Sequence, residues 1–226
     1  MASLTEYMKK VFSFSPPAPS GRARLRPDLL LHPNIPKPLH GLNPRSLLGK
    51  EWWDEQRFRA YAEYNYRCWA CGVPKAQASY HSWLEGHEYY RIDYPAGRAK
   101  MVEVVALCHA CHNFIHNGRL ISLYDKGEIE EEKICAILYH GFAVLKEAGL
   151  PPNPFALNVA AQLAPVVARR RKWLDVARDL IPQYPIEALS GEVAPWEDWR
   201  LILNGRAYRP LWPSYEAWYS HYNGGQ

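Results

Sequence analysis

At 226 residues the chain is long enough to bury a substantial core, in one domain or two small ones. Nine Trp and fifteen Tyr exclude a disordered chain, and a formal net charge of +4 permits an anionic partner without requiring one. No apolar run approaches about 18 residues, and the first ten, M-A-S-L-T-E-Y-M-K-K, are charged where a signal peptide has its apolar stretch; the expectation is a soluble, cytoplasmic protein with no membrane partner.

Ser3-Leu4-Thr5-Glu6 fits a capping box and predicts a short helix to about Phe12. From Ser13 to Pro44 the chain is rich in proline, which removes backbone donors and fixes φ, so an extended arm is expected, with Arg22, Arg24 and Arg26 as possible phosphate contacts. Ser46 to Tyr64 carries Leu47, Leu48, Trp52, Trp53, Phe58 and Tyr61 near the helical period, an apolar stripe expected to pack. Ser79 to Asp93 and Met101 to Leu107 read as two antiparallel strands around a Pro95-Ala96-Gly97 turn. Cys108 to Asn117 reads as a short helix ended at Gly118. Ile129 to Ala148 has helical spacing, weakened by Gly141, and Asn153-Pro154 forms a cap and first position for the next helix, which Pro165 should interrupt. Arg169, Arg170, Arg171 and Lys172 form the densest basic run, either a solvated helix face or a nucleic-acid-binding ridge. Asn204-Gly205 signals a hairpin, and the aromatic tail from Trp196 to Tyr222 is expected to fold back on the body.

The densest chemistry lies in C-H-A-C-H-N-F-I-H, residues 108 to 116, with a second C-x-x-C pair at Cys68 and Cys71. Two such pairs present four thiolates to one centre, so Cys68, Cys71, Cys108 and Cys111 are assigned a structural Zn2+. A closed four-sulfur site offers no open position, which sends the search for catalysis to the histidines. His112 and His116 stand one helical turn apart and can bind one metal jointly; His109 falls at the helix entry, where it can pack or cap.

H-E-Y-Y-R-I-D, a second strand, then L-C-H-A-C-H-N-F-I-H resembles the ββα-metal finger of zinc-ribbon-stabilised HNH endonucleases of phage and bacterial type, over roughly Cys68 to Arg119. The resemblance implies an enzyme hydrolysing phosphodiester bonds of nucleic acid, DNA before RNA, in a bacterial or phage-infected cell. His87 matches the general base, and His112 and His116 match the residues holding a catalytic divalent metal such as Mg2+, Mn2+, Ni2+ or Zn2+. Two positions depart from that pattern. Glu103 stands where the family has its middle Asn, and its carboxylate can take over the role of accepting the Nδ1 hydrogen of His87. Gly86 stands where the residue before the base is often a metal ligand, and Glu85, on the strand face of His87, is the replacement candidate, ahead of Asp93 and His81. The departures leave open a catalytically inactive HNH-derived zinc module that binds nucleic acid or a protein partner.

The expected fold is α+β: a ββα-metal core with a four-cysteine zinc site, flanked by helices and a proline-rich N-terminal arm. Residues 1–45 would be an N-terminal helix and the proline-rich arm, 46–125 the zinc-stabilised HNH-like ββα domain, and 126–226 a helical extension whose aromatic tail packs on the core.

Overall fold

Local sequence signals set most of the element boundaries in a computed structural model that describes residues 25–167 and 193–223. The expected helix after Ser3, Arg22 and Arg24, and the basic run Arg169 to Lys172 lie outside the described residues. The protein is mixed α+β, with seven helices and a four-stranded sheet of order β1-β2-β3-β4 among the described residues. The helices are α1 (Pro44–Leu48), α2 (Lys50–Glu63), α3 (His109–Ile115), α4 (Asn117–Asp125), α5 (Glu131–Glu147), α6 (Pro154–Val167) and α7 (Tyr215–Asn223). The strands are β1 (Glu85–Asp93), β2 (Arg98–Leu107), β3 (Arg200–Leu203) and β4 (Arg206–Tyr208). The chain divides into two units, and α2, β1 and β2 contribute residues to both.

Among the described residues, the first unit gathers 25–34, 60–87 and 105–167. Its core is built by α3, α5 and α6 with a 3₁₀ turn at Pro27–Leu31, and it fully buries Leu29, Leu30, Phe114, Ile134, Ile137 and Leu138. Asn153 caps α6, its Oδ1 accepting from the amides of Phe155 and Ala156 while its Nδ2 donates to Leu30 O at 2.7 Å. Gly141, a weak point by propensity, is required by packing: a Cβ there would lie 2.1 Å from a ring carbon of Phe114.

Among the described residues, the second unit gathers 35–59, 88–104 and 193–223. Leu39, Leu42, Tyr90, Ala99, Trp199, Leu201 and Leu203 form its core. β2 and β3 pair in parallel, Arg98 opposite Arg200, and Asn204 and Gly205, with φ of 49° and 78°, close the β3–β4 hairpin that this dipeptide predicts. Trp218 Nε1 donates to His40 Nδ1 at 3.2 Å, and Lys37 lies over the rings of Tyr215 and Trp218, so the aromatic tail does pack within this unit. It keeps one side outward, with Tyr219 and Tyr222 about half exposed.

Several boundaries differ from the sequence expectation. Gly49, at φ 94°, breaks the helix expected over 46–64 into α1 and α2, and Phe58 ends up exposed beneath the Arg57 guanidinium instead of in a packed stripe. The arm is not open throughout: between its prolines, Leu29, Leu30 and Leu39 are fully buried, because proline-started 3₁₀ turns aim successive leucines inward. Arg26 pairs with Asp28 at 3.2 Å. The strand expected from Ser79 starts at Glu85, since Tyr80 sits in the left-handed region at φ 73°. The helix of residues 108–117 ends at His116, whose ψ of 41° turns the chain into α4, and Gly118 lies inside α4; Asn117 Nδ2 satisfies the freed carbonyls of Phe114 and Ile115. α6 continues past Pro165 to Val167, a proline near a helix end removing only one backbone bond.

Candidate metal centres

Each C-x-x-C pair sits on a turn that its own backbone closes. In the first, Gly72 N donates to Cys68 O and Cys68 N to Val73 O, with Gly72 at φ 74°. Buried Trp69 fixes this turn, its Nε1 donating to Ala60 O and its amide to Ala106 O at the end of β2. One residue beyond β2, Cys108 occupies the N-cap of α3, and Cys111 follows in the first turn. The four sulfurs lie within 4.8 Å of one another, Cys71 and Cys108 at 3.8 Å. A tetrahedral ion with bonds of about 2.3 Å to sulfur sets its ligands about 3.8 Å apart, so the four cysteines could hold a metal ion such as zinc. Burial would raise the Cys68 thiol, yet hydrogen bonds from Cys108, Cys111 and Cys71 hold it well below its usual value.

Sequence reasoning gave His140 no role. The structure brings its Nε2 from α5 to 3.3 Å from Cys111 Sγ, and the Cys108 sulfur raises its pKa against the opposing effect of burial. An imidazolium or N–H there offsets part of the negative charge that four thiolates concentrate in one place.

A second group stands on the same helix. His87 on β1 and His112 and His116 on α3 bring one nitrogen each within 4.8 Å of the others. His87 Nδ1 lies 3.2 Å from His116 Nε2, and an ion bonded to two nitrogens at about 2.0–2.1 Å sets them about 3.0–3.4 Å apart. Burial, then the neighbouring His116, His32 and His112, push His87 well below the usual histidine range. Burial and the same kind of neighbours lower His116 to about 3. Both are therefore neutral at neutral pH, the form in which imidazole binds metal. Neutral His87 and His116 can share one N–H···N hydrogen bond, and the same spacing could hold an ion in place of that proton; His87 Nε2, on the other side of the ring, is buried with no hydrogen-bond partner.

The geometry gives Glu85 and His87 partners that the sequence did not indicate. Glu85 is not placed as a ligand: its Oε2 lies 2.6 Å from His112 Nδ1 and its Oε1 2.7 Å from His109 Nδ1, so both oxygens are taken up one step behind the histidine group. Burial would raise its pKa, but hydrogen bonds from His112 and His109 hold it at about 2. A carboxylate on Nδ1 fixes the tautomer of His112 and leaves Nε2 free to bind. His87 Nδ1, expected to meet the Glu103 carboxylate, lies 3.2 Å from His116 Nε2, within the histidine group that could hold an ion. Glu103, half-buried on β2, belongs to the second unit. Asp93 accepts the Ala96 amide and closes the β1–β2 turn, while His81 stacks on Trp83.

His109, expected to pack or cap at the helix entry, binds the Glu85 carboxylate. It falls three residues before His112, on the same helix face, and Asn113 Nδ2 donates to its carbonyl at 2.9 Å. His140 and buried His32, whose ring centroid is 5.3 Å from that of His87, approach through packing and carry no local signal. No family model, curated protein or solved structure matches this chain.

Proposed function

We propose that the protein is a metal-dependent HNH-type endonuclease that hydrolyses phosphodiester bonds of nucleic acid, DNA in particular. A structural zinc would occupy the four-cysteine cluster and a second divalent ion the histidine group. The observation that carries this reading is the convergence of His87 from the hairpin with His112 and His116 from the following helix, backed by Glu85. When bound, the second ion supplies charge neutralisation at the scissile phosphate and the departing 3′ oxygen. His112, with its side chain 20% exposed, leaves the group reachable from solvent. Glu85 keeps the His112 Nδ1 proton and orients the ring. Three imidazoles favour Zn2+ or Ni2+ over Mn2+ and Mg2+, which prefer oxygen.

Relaxation and linearisation of supercoiled plasmid with each of these ions test the proposal. Wild type should cleave, with Mg2+ the weakest activator, and His87→Ala and His112→Ala should not; equal cleavage by all three proteins would refute it. One observation favours a second reading, an HNH-derived zinc module that binds nucleic acid without cutting: His87 is 2% exposed and so is poorly placed to take a proton from an attacking water. Salt-sensitive DNA binding by a wild-type protein that cleaves with none of the ions would select it.

A further inference from the structure

Between the 3₁₀ turn Lys75–Gln77 and β1, residues 78–84 form no regular structure yet hold three rings in defined places. His81 and Trp83 are stacked, with centroids 4.0 Å apart and planes 6° from parallel. Tyr80 is held at φ 73°, a conformation a bulky side chain adopts only where its surroundings impose it. Trp83 is 51% exposed and Tyr80 42%. The rings reach the histidine group through one residue: the edge of His81 meets His109 at 4.5 Å and Tyr80 lies 5.5 Å from it, while His109 and the candidate ligand His112 share the Glu85 carboxylate. Lys133 places its ammonium 5.1 Å over the Tyr80 ring.

We propose that Tyr80, His81 and Trp83 form a stacking platform for an unpaired nucleobase beside the histidine metal group, so that the substrate is a single-stranded or locally opened nucleic acid. The inference rests on the nuclease reading for its substrate class, but the platform has its own physical grounds. Exposed flat rings in fixed positions are a liability for an isolated protein, and a base offers them a face of matching shape whatever its sequence. In a duplex both faces of a base are already stacked, so only an unpaired or extruded base can use the platform. The Lys133 ammonium suits the adjoining phosphate, which an aliphatic or peptide occupant would lack.

The experiment is fluorescence anisotropy of the full-length, zinc-loaded protein with a labelled oligonucleotide of mixed sequence. Single-stranded and duplex forms with cleavage-resistant phosphorothioate linkages are compared, so that binding is read without cleavage. Wild type should bind the single strand more tightly, and Trp83→Ala should weaken single-strand binding by about tenfold while changing duplex binding by less than about twofold. Trp83→Phe, which keeps a flat ring, should retain most of the affinity. With a cleavable single strand, Trp83→Ala should raise KM and leave kcat unchanged. Equal affinity for the two forms, or a Trp83→Ala protein with unchanged single-strand affinity, would overturn the platform even if plasmid cleavage is observed. A wild-type protein that cuts nothing but keeps a Trp83-dependent preference for single strands would support the platform and remove the nuclease reading alone.

Discussion

Gly141→Ala tests how the metal-bearing helix is held. In an exposed helix this change is favourable by about 1 kcal/mol, because alanine has the higher helix propensity. Here the new Cβ would lie 2.1, 2.3 and 2.5 Å from Cδ2, Cγ and Cε2 of Phe114. Carbon atoms in contact sit about 3.5–4.0 Å apart, so α3 and α5 would have to separate by roughly 1.5 Å. The ring cannot swing aside, since Phe114 is fully buried and packs edge-on against Phe142 at a centroid distance of 5.2 Å. Overpacking of this kind costs about 3 kcal/mol, the upper end of its range, which leaves a net loss of about 2 kcal/mol after the propensity gain. For a chain of this size that corresponds to a fall in Tm of about 4–8 °C. Scanning calorimetry of the zinc-loaded protein reads it directly. Gly118→Ala is the matched control: in α4 its Cβ would meet only Asn34 Nδ2, at 3.8 Å, and Tm should stay level or rise. A Gly141→Ala protein melting at or above the wild-type temperature would refute the packing argument.

Cys108→Ser should release the ions of both groups, whereas His112→Ala should release only the one held by histidines; elemental analysis after gel filtration checks this, and a Cys108→Ser chain that keeps its histidine-bound ion contradicts it. Glu85→Gln should weaken Ni2+ or Zn2+ binding at the histidine group by about 10–100-fold without disturbing the cysteine-bound ion, as measured by competition with a chromophoric chelator. Without metal, the pH dependence has a definite sign: the Glu85 carboxyl is lowered from 4.5 to about 2 in the folded protein, so its contribution to stability is complete above about pH 4.5 and is lost as pH falls toward 2. The stability difference between wild type and Glu85→Gln should therefore shrink over that window, and a difference that grows on acidification would count against the assignment.

What was legible in the sequence is what neighbouring residues encode among themselves. Two C-x-x-C pairs, the His112 and His116 spacing, the Asn153 cap and the Asn204-Gly205 turn each state their geometry within a few residues. Roles assigned across the fold fared differently. Glu85 meets His109 and His112 only because β1 lies beside α3, and His140 meets Cys111 only because α5 does; no pattern in either segment announces it. Gly141 shows the same limit from the other side, since propensity marks it as a defect and only the position of Phe114 makes it a requirement. The Tyr80 backbone likewise ends a strand that composition alone would extend to Ser79.

The nine residues from Cys108 to His116 carry members of both groups on one short helix. Successive residues on a helix point about 100° apart, so Cys111 and His112, though adjacent in sequence, serve different centres. Cys108 and Cys111 join the sulfur cluster, His109 and His112 take the two oxygens of Glu85, His112 and His116 join the histidine group, and Phe114 and Ile115 enter the core. A helix of seven residues is far below the length that holds itself together in water, so its orientation must come from these attachments. An ion on the four cysteines would tie its N-terminal end to the Cys68–Gly72 turn, while Phe114 and Ile115 hold its far end in the core. Cys108→Ser should therefore displace His112 and His116 by removing the first tie, whereas His112→Ala should leave both ties in place.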